Sequence, residues 1–213
     1  MTEQQIQEKL AGMKKTRKTL GKVTLCLSIL AIIVLIAYNF LGVTFCKSPL
    51  PDQIMSAADF SKGFTFPGWQ MVFWGCGGQF IMQDNFFNPN VVAIIGMVGT
   101  ILVLIVCAAL KKGKNKAKAI REFISAGFLC FSALVLGFFI VPVSKLAVTS
   151  GGVYHFKEFL ETEGTIYKPT AIAIVIGVVL LLFAAVKVYN ALFLLKQKKF
   201  AAQYAPKKKK GDK

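Results

Sequence analysis

Lys187 is the one charged side chain inside the long apolar stretches of this chain. Placing an ionisable group in hydrocarbon is expensive, so such a residue is the first place to look for an ion path or a ligand counter-charge. Its position argues for a blander role. It stands about 16 residues into the last stretch, roughly 24 Å of helical rise from Ala171. There a long stem can carry the ammonium out to the headgroups. The expectation is a snorkelling lysine whose replacement by Gln is nearly neutral. No Asp, Glu, Arg or His joins it in any stretch, so the buried carboxylate needed for proton-coupled export is missing.

The other reactive residue types lead no further. Cys26, Cys107 and Cys130 lie within apolar stretches and read as small apolar residues. Cys46 and Cys76 fall in one loop outside the stretches and are a candidate disulfide, with two free thiols as the alternative. No Cys-x-x-Cys pair is present for thiol oxidation. His155 is the only histidine, which leaves no His-based metal cluster and no Ser–His dyad at membrane depth. Gly75-Cys76-Gly77-Gly78 lacks the following helix and lysine of a phosphate loop. Neither a catalytic site nor a cofactor or metal site is expected, and the chain reads as a non-enzyme.

The elements that would position these residues are plain. Apolar stretches run over about 23–45, 91–110, 123–143 and 171–195. A bilayer core about 30 Å thick takes about 20 apolar residues of helix to cross. In lipid the backbone must satisfy its own hydrogen bonds, so each stretch is read as a helix. The first is longer than the apolar part of a signal peptide, and no A-x-A site follows it. Phe45 before Cys46 is too bulky for a lipoprotein cleavage site. The fold class is therefore all-α: a four-helix transmembrane bundle in residues 23–195, with basic segments at 1–22 and 196–213.

The net charge of +16 divides by topology. One side of the four spans carries 21 basic and four acidic residues, and the other five basic and six acidic. The positive-inside rule places the basic side, with both termini, in the cytoplasm. The pI of about 9.8 thus needs no nucleic acid as partner. Attraction to anionic inner-leaflet lipid is enough, and the run Lys207, Lys208, Lys209 and Lys210 is a candidate contact for it. Apolar Ile6, Leu10 and Met13 recur at helical spacing before the first span and give that segment a face for a membrane surface or none at all.

The loop 46–90 is aromatic, with Phe60, Phe64, Phe66, Trp69, Phe73, Trp74, Phe80, Phe86 and Phe87. Such a loop must pack on itself, on the bundle or into the membrane interface. Residues 68–82 read as a short interfacial or re-entrant segment, and Trp69, Phe73 and Trp74 are candidate interaction residues. Asn88-Pro89-Asn90 starts the second span. The short basic connection 111–122 makes spans two and three antiparallel neighbours. Ala133-x-x-x-Gly137, Gly96-x-x-x-Thr100 and Ala173-x-x-x-Gly177 fit close helix packing, either within one chain or between copies.

The basic lead, the run Gly68-Trp69-Gln70-Met71-Val72-Phe73-Trp74-Gly75, the Phe87-Asn88-Pro89-Asn90 opening and the third span ending at Pro142 carry a resemblance. The chain resembles a group of uncharacterised four-span membrane proteins of low-GC Gram-positive bacteria, which implies a plasma-membrane location and brings no site residues. The layout is also similar to claudin-like tetraspans, although Cys76 has no cysteine close after it and the Gly-Leu-Trp motif is missing. The expected function is structural or accessory, through binding of another membrane protein or of lipid. The alternative is a small oligomeric channel or transporter component, a homo-oligomer supplying the polar lining that one chain lacks.

Overall fold

The computed structural model describes residues 2–47, 63–74, 90–110, 113, 115–143, 164 and 166–204. Four helices in it are long and apolar enough to cross a membrane: α1 (Glu3–Tyr38), α2 (Val91–Ala109), α3 (Asn115–Phe138) and α4 (Ala171–Gln203). Three short strands, β1 (Gly42–Lys47), β2 (Phe64–Pro67) and β3 (Ile166–Pro169), form an antiparallel sheet of order β2-β1-β3. The sheet sits at one end of the bundle. At the other, basic end gather the start of α1, the start of α3 and the end of α4.

The sheet departs from the all-α expectation, and it shortens the first span. The apolar run to Phe45 predicts one helix, but α1 stops at Tyr38 and the chain continues as β1 from Gly42. β-branched Val43 and Thr44 suit a strand. β1 pairs with β2 on one side and β3 on the other, with Phe45 opposite both Thr65 and Lys168. Val43 sits at an irregularity in the β2 pairing, and its carbonyl accepts from Thr170 N at 2.9 Å. Lys168 Nζ lies 5.9 Å from the centre of the Phe45 ring, a cation–π contact across the strands.

Hydrogen bonds weld this sheet to the helix ends. Trp69 N donates to Asn39 O at 3.2 Å and Gly68 N to Leu41 O at 3.0 Å. A Cβ on Gly68 would collide with the Tyr38 carbonyl, so only glycine allows this approach. The Thr170 hydroxyl donates to Gly42 O at 2.9 Å and accepts from Ala173 N at 3.4 Å, capping α4 and fixing it to β1 together. A π-helical turn, Gln70–Trp74, follows β2. Asn90 opens α2 as expected: its Oδ1 accepts from Ala93 N at 3.1 Å, while Nδ2 donates to Met71 O at 3.3 Å.

The bundle core is apolar toward the sheet end, where Leu35, Tyr38, Leu136, Ile140 and Leu180 are fully buried. α3 widens into a π-helical segment over Ala133–Phe138. Within it the Leu136 carbonyl takes a hydrogen bond from Tyr38 Oη at 3.0 Å. The small-residue motifs resolve in favour of packing within the chain. A Cβ on Gly137 would stand 2.6 Å from Gly177 Cα, and one on Gly177 3.1 Å from Ala133 O. Antiparallel α2 and α3 meet where Thr100 Oγ1 lies 2.7 Å from Ser132 Oγ and Ser132 also donates to the Gly96 carbonyl.

Outward, the same helices expose Ile33, Leu102, Ile105, Val175, Leu182 and Leu192. An apolar belt of this extent suits lipid and not water. α1 and α4, of 36 and 33 residues, are about 50 Å long, so each projects roughly 20 Å beyond a 30 Å core at the basic end. There they lie side by side, with Lys9 Nζ 5.0 Å from the centre of the Phe200 ring. Ile6, Leu10 and Met13 are half-buried.

Candidate functional site

Three polar stripes converge where the bundle meets its basic end. On α1 the stripe is Lys14, Arg17, Lys18, Gly21, Thr24 and Ser28, at steps of three and four that keep one helical face. On α3 it is Lys118, Arg121, Glu122 and Ser125, and on α4 Lys187 and Asn190. With Leu25, Leu194 and the end of α2 at Cys107, Ala108 and Leu110, they line a cavity of about 490 Å³. Its walls change character with depth. Cations stand at the mouth, polar groups on the floor, and apolar residues on the side toward α2.

The floor is organised by Glu122. Its Oε2 accepts from Lys187 Nζ at 3.2 Å. Its Oε1 accepts from Thr24 Oγ1 at 3.1 Å and from Asn190 Nδ2 at 3.2 Å. One carboxylate thus ties α1, α3 and α4 together. Asn190 Nδ2 also reaches Thr24 Oγ1 at 3.4 Å, closing the network. A carboxylate accepts several donors at once, which is the chemistry this crossing requires.

This arrangement corrects the expectation for Lys187. Its side chain is 4% exposed and turns inward to a carboxylate, where a snorkelling stem would turn outward to the headgroups. The correction follows from helix bounds. The apolar stretch of the third span begins at Phe123, which puts Glu122 just outside it, but α3 begins at Asn115 and brings Glu122 level with Lys187. A buried ammonium facing a carboxylate is held by charge and hydrogen bond, whereas snorkelling would leave the carboxylate facing apolar surroundings. The signal missed in the sequence is the helical spacing of Lys118, Arg121, Glu122 and Ser125, a polar face that continues into the apolar run.

The network does not use all its capacity. Asn190 Oδ1 and Ser125 Oγ are buried and have no hydrogen-bond partner among the described residues. Both residues line the cavity, and they are 3% and 1% exposed. An ammonium has three protons, and among the described residues Lys187 Nζ meets one acceptor, Glu122 Oε2, so it too has donors to offer. At the mouth, Lys14, Arg17, Lys18 and Lys118 have no carboxylate partner among the described residues. Arg121 Nε donates to Ala117 O at 3.3 Å, which orients its guanidinium along α3.

The residues singled out from the sequence lie elsewhere. Trp69 and Phe73 are half-buried at the sheet end, and Phe73 packs on the main core beside fully buried Met71 and Val72. The backbone of Trp74 ends the π turn, while its side chain lies outside the description. The Cys46–Cys76 pairing also falls outside the described residues, as do Lys207, Lys208, Lys209 and Lys210. Cys26, Cys107 and Cys130 are free thiols. No group of three metal-ligating side chains occurs among the described residues. No family model matches this chain, and neither a curated protein nor a solved structure matches it.

Proposed function

We propose that this chain is a non-enzymatic accessory protein of the bacterial plasma membrane, with both termini cytoplasmic, that binds membrane lipid in the cavity at the basic end of its bundle. The observation that carries this reading is the graded lining of that cavity. Lys14, Arg17, Lys18, Lys118 and Arg121 stand at the mouth, Leu25, Cys107 and Leu110 along one side. A phospholipid has the same gradient from head to chain. Basic pockets between cytoplasmic helix ends are a recurrent setting for anionic lipid.

A binding role fits the floor better than catalysis does. Glu122 and Lys187 face each other, and the carboxylate is also held by Thr24 and Asn190. The pair joins three helices, which leaves the carboxylate little freedom to act as an acid or base. A channel within one chain is disfavoured by the apolar plug of Leu35, Leu136, Ile140 and Leu180 beyond the network.

The test is lipid retained through purification. Protein extracted in mild detergent is expected to keep about one phospholipid per chain. Gly21→Trp and Ala108→Trp together should displace it, because both residues line the cavity and a Cβ on Gly21 meets no atom within 4 Å. Equal lipid in the filled and native proteins, with both folded, would overturn the reading.

A further inference from the structure

We infer that the cavity selects an anionic phosphodiester lipid whose headgroup carries a free hydroxyl, with the phosphate among the mouth cations and the hydroxyl on the floor at Asn190 and Ser125. This rests on the lipid-binding reading above and adds the headgroup chemistry to it. Two kinds of observation meet here. The first is charge. Among the described residues the lining has six basic side chains, Lys14, Arg17, Lys18, Lys118, Arg121 and Lys187, against the one carboxylate of Glu122. That excess favours an anion over a zwitterion.

The second is unused hydrogen-bonding capacity at depth. A buried polar atom without a partner is costly. Five occur among the described residues, and Asn190 Oδ1 and Ser125 Oγ are the two whose residues line the cavity. Asn190 Oδ1 is an acceptor and calls for a donor. A phosphodiester has no donor of its own, and neither do acyl ester groups. A hydroxyl does, and it can accept in turn from Ser125 Oγ or from Lys187 Nζ. The depth also fits. Thr24, which touches Asn190, lies six residues beyond Lys18 along α1, about 9 Å of rise. A headgroup must span that interval if its phosphate stays at the mouth. The acyl chains then rest against Leu25, Cys107 and Leu110, the apolar side of the cavity.

The full-length protein in nanodiscs of phosphatidylcholine can be titrated with phosphatidylglycerol and with phosphatidylmethanol, and binding read by native mass spectrometry. The two lipids have the same charge and differ in the hydroxyls. Phosphatidylglycerol is expected to bind about tenfold more tightly, the effect of one buried hydrogen bond left unmade. Ser125→Ala should reduce that preference several-fold while the protein unfolds at the same or a higher temperature, since it removes a hydroxyl with no partner. Equal binding of the two anionic lipids, both above phosphatidylcholine, overturns the headgroup inference and leaves lipid binding standing. Binding of neither above phosphatidylcholine overturns both. Glycerophosphoglycerol, the deacylated headgroup, is expected to compete weakly. Full competition at equal concentration would identify a soluble phosphate ester as the ligand and overturn the assignment to lipid. A preference unchanged in Ser125→Ala would remove the floor from the recognition site.

Discussion

Lys187 Nζ and Glu122 Oε2 lie 3.2 Å apart across the interface of α3 and α4, with the ammonium side chain 4% exposed and the carboxylate side chain 19% exposed. The pair is close to the bundle interior but opens onto a cavity on one side. It therefore differs from an ion pair on an open surface, which solvent screens. Removing one partner of a buried pair leaves an uncompensated charge and costs about 3–5 kcal/mol. The partial exposure of Glu122 puts this case at the lower end.

Glu122→Gln and Lys187→Met should each lower stability by about 3 kcal/mol, measured as reversible unfolding in detergent with denaturant. The double variant should recover most of that loss, because it leaves no buried charge. A double-mutant cycle with no coupling between the two positions would show that the pair does not hold the helices together.

Gly137 and Gly177 set how closely α3 and α4 approach. Gly137→Ala places its methyl 2.6 Å from Gly177 Cα, against backbone that cannot swing aside. A loss of about 1–3 kcal/mol is expected. Gly127→Ala on the same helix meets nothing within 4 Å and should gain up to about 1 kcal/mol from helix propensity. Opposite signs at two glycines of one helix, read from the same unfolding curves, are the expected outcome. Equal effects would mean that the close approach contributes nothing.

The topology predicted from charge can be checked directly. In a cysteine-free background, Thr65→Cys on β2 should react with an impermeant thiol reagent on intact cells. Lys116→Cys, at the start of α3, should react only after the membrane is opened. Both positions are exposed in the fold, so protection reports the membrane and not burial. Labelling at Lys116→Cys alone in intact cells would invert the orientation.

The four spans were legible because length and apolar content are local properties, visible in about 20 residues at a time. What escaped was non-local. β1 looked like the tail of an apolar helix because nothing near Val43 announces that its partner is Ile166–Pro169. Lys187 looked like a snorkelling lysine because its carboxylate lies 65 residues away in sequence. The cavity left a fainter trace. Lys14, Arg17, Lys18, Thr24 and Ser28 keep helical spacing across the boundary between the basic lead and the apolar span. A polar face that continues past such a boundary implies something polar to meet it.

The sheet order β2-β1-β3 has a consequence in time. During synthesis β1 can pair with β2 almost at once, since Cys46 meets Phe64. Its other edge must wait until Pro169 has left the ribosome to reach Thr44, on the order of 10 s at ordinary translation rates. For that interval an unpaired strand edge stands at the membrane surface, the kind of edge that invites a wrong neighbour. The last helix, whose cap at Thr170 is tied to Gly42, closes the edge and the bundle in one event, so a chain that stalls before it is left both open and adhesive.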